Sequence, residues 1–326
     1  MKSIFLTGGA GYIGSATAQA LIDQGHHVTV YDSLVTGHRA AVPTAAKFIQ
    51  ADLGDREALK AALSSESFDA IMHFAAFIEA GESMQNPGKY FQNNVSNSLQ
   101  LIESANEAGI GQFVLSSTAA VYASSDEPLN EESLLSPSNV YGHTKLMVER
   151  ALECYREIGG LHYAALRYFN AAGAMDQHGE DHQPESHLIP LVLKVAIGQR
   201  ETIKVFGTDY PTPDGTCIRD YIHISDLVSA HLLCLDALEG QARLVFNLGN
   251  GAGYSVLEVI EAARQVTGHP IPAIPYARRP GDSARLVASS DLIRHDLSWQ
   301  PKIPRLVDIV ASAWEWCRAH PHGYAP

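Results

Sequence analysis

Cysteine is scarce. The four thiols in 326 residues, Cys154, Cys217, Cys234 and Cys317, show no C-x-x-C spacing. That speaks against a disulfide framework and favours reduced thiols in a cytoplasmic protein. Positive charge is also short, with 23 Lys and Arg against 36 Asp and Glu and a formal net charge of −13. Nucleic acid needs clustered cations and is excluded as a partner. A small anion is not, provided that a few arginines and helix termini act locally. No apolar run approaches the roughly 18 residues of a membrane span. The first residues enter a strand directly and leave no room for a signal peptide. Internal repeats and low-complexity segments are lacking.

What is present begins with a glycine turn, Thr7-Gly8-Gly9-Ala10-Gly11-Tyr12-Ile13-Gly14, between the apolar run Ser3–Leu6 and the helical pattern Ser15–Ile22. Glycines at 8, 11 and 14 let the chain turn tightly and bring backbone N–H groups and a helix N-terminus to a pyrophosphate. A second strand, His27–Tyr31, ends at Asp32. An acid about twenty residues past such a turn binds a ribose hydroxyl and repels a 2′-phosphate, so NAD is expected rather than NADP.

Hydrophobic content of 46% with 18% charged residues is ordinary for a globular protein. The length allows one extended unit or two domains. Strands and helices alternate through the first half, which reads as α/β with a Rossmann-type, doubly wound parallel sheet. Strands are expected at Phe48–Gln50, Asp69–Phe74, Gln112–Leu115 and His162–Arg167, and helices at Arg56–Leu63, Lys89–Ala108, Tyr141–Ile158 and Tyr221–Asp236. Asp52 either meets an adenine or caps the helix after it. Ala75 and Ala76 suit close approach of a cofactor, and Asn93 and Asn94 face it or are merely solvated. After Asn170 the pattern loosens. A cofactor domain over 1–170, rejoined by about 222–250, and a smaller C-terminal substrate-binding domain over 171–326 are therefore expected.

Tyr141 and Lys145 lie four apart on one helical face. A tyrosine ionises near ~10, and each unit of depression needs about 1.4 kcal/mol of preferential anion stabilisation. A neighbouring Lys⁺ and a positive nicotinamide ring supply it in principle. Strand Gln112–Leu115 delivers Ser116-Ser117-Thr118, and the Thr118 hydroxyl can share a proton with Tyr141. His178, His182 and His187 fall in an acidic, irregular stretch, and no metal is expected there because this chemistry needs none. His143 is expected to face outward.

These residues resemble the extended short-chain dehydrogenase/reductase family, and within it the 4-epimerases of UDP-glucose and UDP-galactose, over nearly the whole chain. Further stretches carrying the resemblance are His73–Ala76, Leu166–Gly173, His187–Pro190, Phe206–Pro211, Arg219–His223 and Arg278–Asp282. The run from Phe206 through His223 is the more specific part. The resemblance implies Tyr141 as base and acid at the hexose 4-hydroxyl, Lys145 on the nicotinamide ribose and Thr118 as hydroxyl partner. It implies a cofactor set of Gly8, Gly11, Tyr12, Ile13, Gly14, Asp32, Asp52, Leu53, Phe74, Ala75, Ala76, Asn93, Ser116, Tyr141, Lys145 and Tyr168. Toward a UDP-sugar it implies Asn170, Arg219 and Arg279 at phosphates and ribose, Phe206 at uracil, Asp282 at the uridine ribose, and Leu188, with a homodimer through the Lys89–Ala108 and Tyr141–Ile158 helices.

Bland roles stay open: Arg219 beside Asp220 as a surface ion pair, Phe206 as core. Three positions depart from the family pattern: Ile78 for lysine near the pyrophosphate, Val140 for proline before the tyrosine, and Leu286 for an aromatic beside the sugar, which leaves room for an N-acetyl group. A 4,6-dehydratase would want an acid pair after Thr118, where Ala119-Ala120 stand. A non-catalytic NAD-binding protein would have no use for Thr118, Tyr141 and Lys145.

Overall fold

Ser3–Thr7 (β1), His27–Asp32 (β2), Lys47–Gln50 (β3), Ala70–His73 (β4), Gln112–Thr118 (β5) and His162–Tyr168 (β6) form one parallel sheet with the later strand Arg243–Leu248. The computed structural model describes residues 1–279 and 282–324, so Pro280 and Gly281 of the 278–282 motif lie outside the described residues. Strand order is 243–248, β6, β5, β4, β1, β2, β3. The order reverses at β1, whose Thr7 is paired with Tyr31 on one side and His73 on the other. A crevice at such a reversal, outside the carboxyl ends of the strands, is where doubly wound sheets bind ligands.

The strands are apolar on both faces because both faces are covered. Side chains alternate across a strand. Ile4 and Leu6 therefore join a core with Ala16, Leu21, Leu227 and Leu235 from the helices Tyr12–Asp23 (α1) and Ile224–Ala237. Phe5 points the other way, into a core with Leu59, Leu101, Val148 and Leu152. Those residues come from Arg56–Leu63 (α2) and the helices Asn97–Glu107 and Val140–Gly159.

Two elements differ from the sequence pattern. The expected helix Lys89–Ala108 is a short α-turn Pro87–Tyr90, a π-helical stretch Phe91–Ser96 and the helix Asn97–Glu107. A wider turn shifts the phase of the side chains. It sends Asn94 inward, where Oδ1 accepts from the Phe77 N–H at 2.9 Å and Nδ2 donates to the Phe77 carbonyl at 2.9 Å and to Thr144 Oγ1 at 3.2 Å. The expected helix Tyr221–Asp236 starts only at Ile224. Tyr221–His223 is instead a strand, parallel to Asn170–Ala172. A short apolar run has no periodicity of its own, and here the available pairing partner decides.

A third core, with Val192, Ile260, Ile309 and Val310, is built from the helices Leu188–Ala196, Val256–Thr267 and Leu306–Ala319. The parallel pair Ile203–Phe206 and Ala273–Tyr276 flanks it. A small sheet of Tyr254–Ser255, Ile218–Arg219 and Arg285–Leu286 lies nearby. Asp220 links these parts. Its buried carboxylate accepts from the N–H groups of Asn250, Gly251 and Ala288 at 2.9–3.1 Å. No described helix is long and apolar enough to cross a membrane.

Candidate active site

The glycine turn leaves β1 with Gly8 at φ +75°, a conformation that costs glycine little. A Cβ at Gly8 would overlap the backbone at Phe74-Ala75, and one at Gly14 would overlap the Gly8 carbonyl. The turn and the carboxyl end of β4 thus meet backbone to backbone, and a dinucleotide can lie directly on them. At the end of β2, the buried Asp32 carboxylate accepts from the N–H groups of Ala10 at 2.9 Å and Leu34 at 2.8 Å. Burial pushes its carboxyl above the usual range and the two N–H groups pull it back. Each oxygen keeps a lone pair for a ribose hydroxyl. These features fit NAD.

Tyr12 donates to the Gly173 carbonyl at 2.7 Å, and Ile13 packs on the sheet core. Asp52 does not cap α2; Asp55 does, accepting from Ala58 N–H at 3.0 Å. Asp52 Oδ1 accepts from Gly54 N–H at 2.7 Å, which bends the chain so that Leu53 packs beside the second face of the sheet. Phe74 lies against the His231 ring at 5.0 Å between centroids. Asn93 donates to Asn94 Oδ1 at 2.9 Å.

Thr118 ends β5, directly opposite Tyr168 on β6, while Ser116 two residues earlier hydrogen-bonds the Tyr168 hydroxyl. The helix carrying Tyr141 and Lys145 starts at Val140. Asn139 caps it by accepting from Gly142 N–H at 2.9 Å, and Ser83 Oγ accepts from Tyr141 N–H at 3.1 Å. A Cβ at Gly142 would overlap the Ala120 carbonyl. Only glycine lets this first turn press against the end of β5 and set Tyr141 beside the Thr118 hydroxyl. Lys145, 3% exposed, donates from Nζ to the Ser116 carbonyl at 2.7 Å.

The electrostatics differ from the sequence expectation. Burial pushes Tyr141 up to about 12, against the pull of the Thr118 hydrogen bond. Burial also brings the Lys145 ammonium down to about 8, with Glu149 raising it. Glu149 sits one turn beyond, gripped by Arg167 at 2.6–3.2 Å and by the Ser117 hydroxyl. Removing one partner of such a buried pair costs about 3–5 kcal/mol. Sequence reasoning missed Glu149 and Gly142, the small residue after the tyrosine being the one available signal, and it placed Asn94 at the cofactor or in solvent rather than against Phe77 and Thr144. His143 is exposed.

Of the residues assigned to a UDP-sugar, Arg219 lies in the small sheet and the others come from the elements around it in sequence. Asn170 Nδ2 donates to the Asp220 carbonyl at 2.8 Å. Leu188 opens its helix directly after His187. Arg219 is bound to Asp282 at 3.6 Å and to the carbonyls of Ile218 and Ser283; it is not the partner of the buried Asp220. Phe206 is not core: it is only half-buried, and the Arg279 guanidinium lies 4.1 Å above its ring. Leu286 pairs with Arg219 and packs against the cluster of Ala119, Val121, Tyr122 and Phe169. Ile78 and Val140 are partly buried.

Residues 4–249 match the model of the NAD dependent epimerase/dehydratase family. The chain is 48% identical over 328 residues to a UDP-glucose 4-epimerase of Halalkalibacterium halodurans, across 99% of this chain and 98% of that protein. A crystal structure of a UDP-glucose 4-epimerase superposes with a TM-score of 0.96 at 48% identity, over 99% of this chain and 100% of the other. The enzyme from Stenotrophomonas maltophila, solved with NAD and formylated UDP-arabinopyranose, superposes with a TM-score of 0.94 at 40% identity, covering 98% and 99% of the two chains. With its glycine turn, doubly wound sheet and Tyr141–Lys145 helix, the chain belongs to the NAD dependent epimerase/dehydratase family.

Proposed function

We propose that the protein interconverts UDP-glucose and UDP-galactose. The observation that carries this is the trio of buried Thr118 and Lys145 with half-buried Tyr141 at the carboxyl end of β5, in a chain 48% identical to a UDP-glucose 4-epimerase over its length. NAD, held by the glycine turn and Asp32, would supply positive charge and an acceptor that takes the C4 hydride and gives it back to the opposite face of C4. Tyr141 Oη takes the 4-hydroxyl proton, holds it while the 4-keto sugar turns over, and returns it to the 4-oxygen. Thr118 Oγ1 passes or steadies that proton. Lys145 orients the nicotinamide ribose and adds positive charge, being largely protonated below about pH 8. Because the chain alone leaves Tyr141 at about 12, Tyr141 becomes an effective base only where these cationic groups surround it.

Asn170, Arg219, Arg279, Asp282, Leu188 and Phe206 hold the UDP, and the hexose is gripped weakly so that it can rotate. Arginine suits this role because its fork meets phosphate bidentately. Leu286, smaller than an aromatic, favours a second substrate class, UDP-N-acetylhexosamines. Exposed Phe91, Leu99 and Met147 on two neighbouring helices support a homodimer through that face. UDP-galactose supplied to the purified protein yields UDP-glucose without added oxidant or net NADH. Absence of turnover with this substrate sinks the assignment, and light scattering tests the dimer.

A further inference from the structure

The stretch 174–186 has no helix and no strand ladder, yet it buries two carboxylates. Glu180 is 7% exposed and Glu185 3% exposed in their side chains. With His182 and His187 they bring four ligand-type atoms within 4.8 Å of one another. His182 Nδ1 lies 3.2 Å from Glu180 Oε1 and 3.9 Å from Glu185 Oε2. His187 Nδ1 lies 2.7 Å from Glu180 Oε1 and 3.3 Å from Glu185 Oε1. At those distances neither Nδ1 makes a well-aligned hydrogen bond, although both atoms are buried. Atoms close together but misaligned for bonding to each other are what ligands of one shared ion look like. In a tetrahedral zinc site with bonds of about 2.0–2.1 Å, neighbouring ligand atoms stand about 3.3 Å apart. The four distances here bracket that value.

We propose that Glu180, His182, Glu185 and His187 bind one divalent first-row cation, zinc fitting best, and that this ion fastens the 173–187 segment to the start of the helix Leu188–Ala196. Two imidazoles and two carboxylates suit zinc and its neighbours; Mg²⁺ and Ca²⁺ prefer all-oxygen sites and Cu⁺ prefers sulfur. Glu185 Oε1 is already oriented by the N–H groups of Ser186 and His187, each at 2.8 Å, as an outer hydrogen bond orients a metal ligand. Four protein ligands close the coordination shell, so the ion is structural and takes no part in proton or hydride transfer.

Its position has consequences. A cavity of about 640 Å³ lined by Glu180, His182, Glu185 and Trp316 gives a hydrated cation a way in. The His182 ring meets the edge of Tyr12, whose hydroxyl holds Gly173. His187 directly precedes Leu188. The ion thus joins the glycine turn to the substrate side. From the sequence no metal is expected at the histidines 178, 182 and 187. The structure sends His178 to Ser15 Oγ at 3.1 Å and puts the two glutamates in its place.

The test uses untagged full-length protein with its cofactor, stripped by a chelator and dialysed. Cobalt titration should develop visible tetrahedral absorption that saturates at one equivalent, and zinc should displace it. Elemental analysis after gel filtration should find one zinc per chain. Glu180→Gln and His182→Gln should each weaken zinc by at least about tenfold, while His295→Gln, an exposed histidine outside the cluster, should not. Zinc should raise the melting temperature of the parent and of His295→Gln only. A folded parent protein that retains well under one equivalent overturns the proposal, and so does unweakened binding in a Glu180→Gln/His182→Gln protein. Either result identifies the cluster as a metal-free imidazolium–carboxylate network. The cobalt spectrum of the parent decides the matter even if a variant fails to fold.

Discussion

The glycine-turn side of the crevice and the arginine side are built on opposite plans. The first is backbone. Gly8, Gly14 and Ala75 meet at the ends of β1 and β4, and their positions follow from a continuous parallel ladder. The second is side chain. Arg219 sits in a two-residue strand between two others as short, and Arg279 and Asp282 come from the loop before one of them. There the cationic groups rest on local partners: Arg219 on Asp282, Arg278 on Asp209 at 2.7 Å, Arg279 over Phe206. The contrast suits an epimerase of the proposed kind. A cofactor read by its backbone contacts belongs on rigid backbone, whereas a substrate can be met by arginines that exchange one partner for another.

The sharpest break in that comparison comes from the group between the two sides. Tyr141→Phe should lower kcat by about 10³-fold or more and leave UDP affinity, measured by calorimetry, within about twofold; near-parental turnover would remove Tyr141 from the chemistry. Next, Gly14→Ala tests the backbone plan. Its Cβ must displace the Gly8 carbonyl, so NAD released on denaturing the purified protein should fall at least about tenfold. Full NAD content would mean that the close approach is dispensable. Arg279→Ala tests the side-chain plan. Losing a charge-assisted phosphate contact costs about 1.5–3 kcal/mol, or about ten- to a hundredfold in UDP affinity, while NAD content stays unchanged. Equal losses of NAD and UDP would erase the division.

The smallest effect concerns pH. His231 packs between Phe74 and Tyr168, and burial brings it down to about 4 from an ordinary 6.5. The unfolded chain therefore binds the extra proton first as pH falls, and the His231 contribution to stability is intact above pH 6.5 and declines toward pH 4. In His231→Gln the slope of unfolding free energy against pH should drop by about 1.4 kcal/mol per unit within that window. An unchanged slope would mean that the ring is not kept neutral in the folded protein.

How far each side can be read before folding follows from the same contrast. The turn at 7–14, the acid at 32 and the spacing of Tyr141 and Lys145 are local, and local backbone geometry needs only nearby residues. Tyr221–His223 went unread as a strand because its partner, Asn170–Ala172, lies fifty residues away. The π-helical stretch at Phe91–Ser96 was hidden too, since it goes with contacts of Asn94 to Phe77 and Thr144, distant in sequence. Arg219 looked like a partner of Asp220, but that carboxylate, between two short strands, turns inward to three backbone N–H groups.

Sequence by itself determined the class of fold, the dinucleotide turn and the residue types at the reacting centre, because periodicity and turn chemistry act over a few residues. Tertiary structure alone decided three things: that Gly142 presses Tyr141 to the end of β5, that burial raises Tyr141 while lowering Lys145, and that Glu180, His182, Glu185 and His187 converge. Each depends on which distant atoms exclude water from a group or crowd it, and no local pattern carries that information.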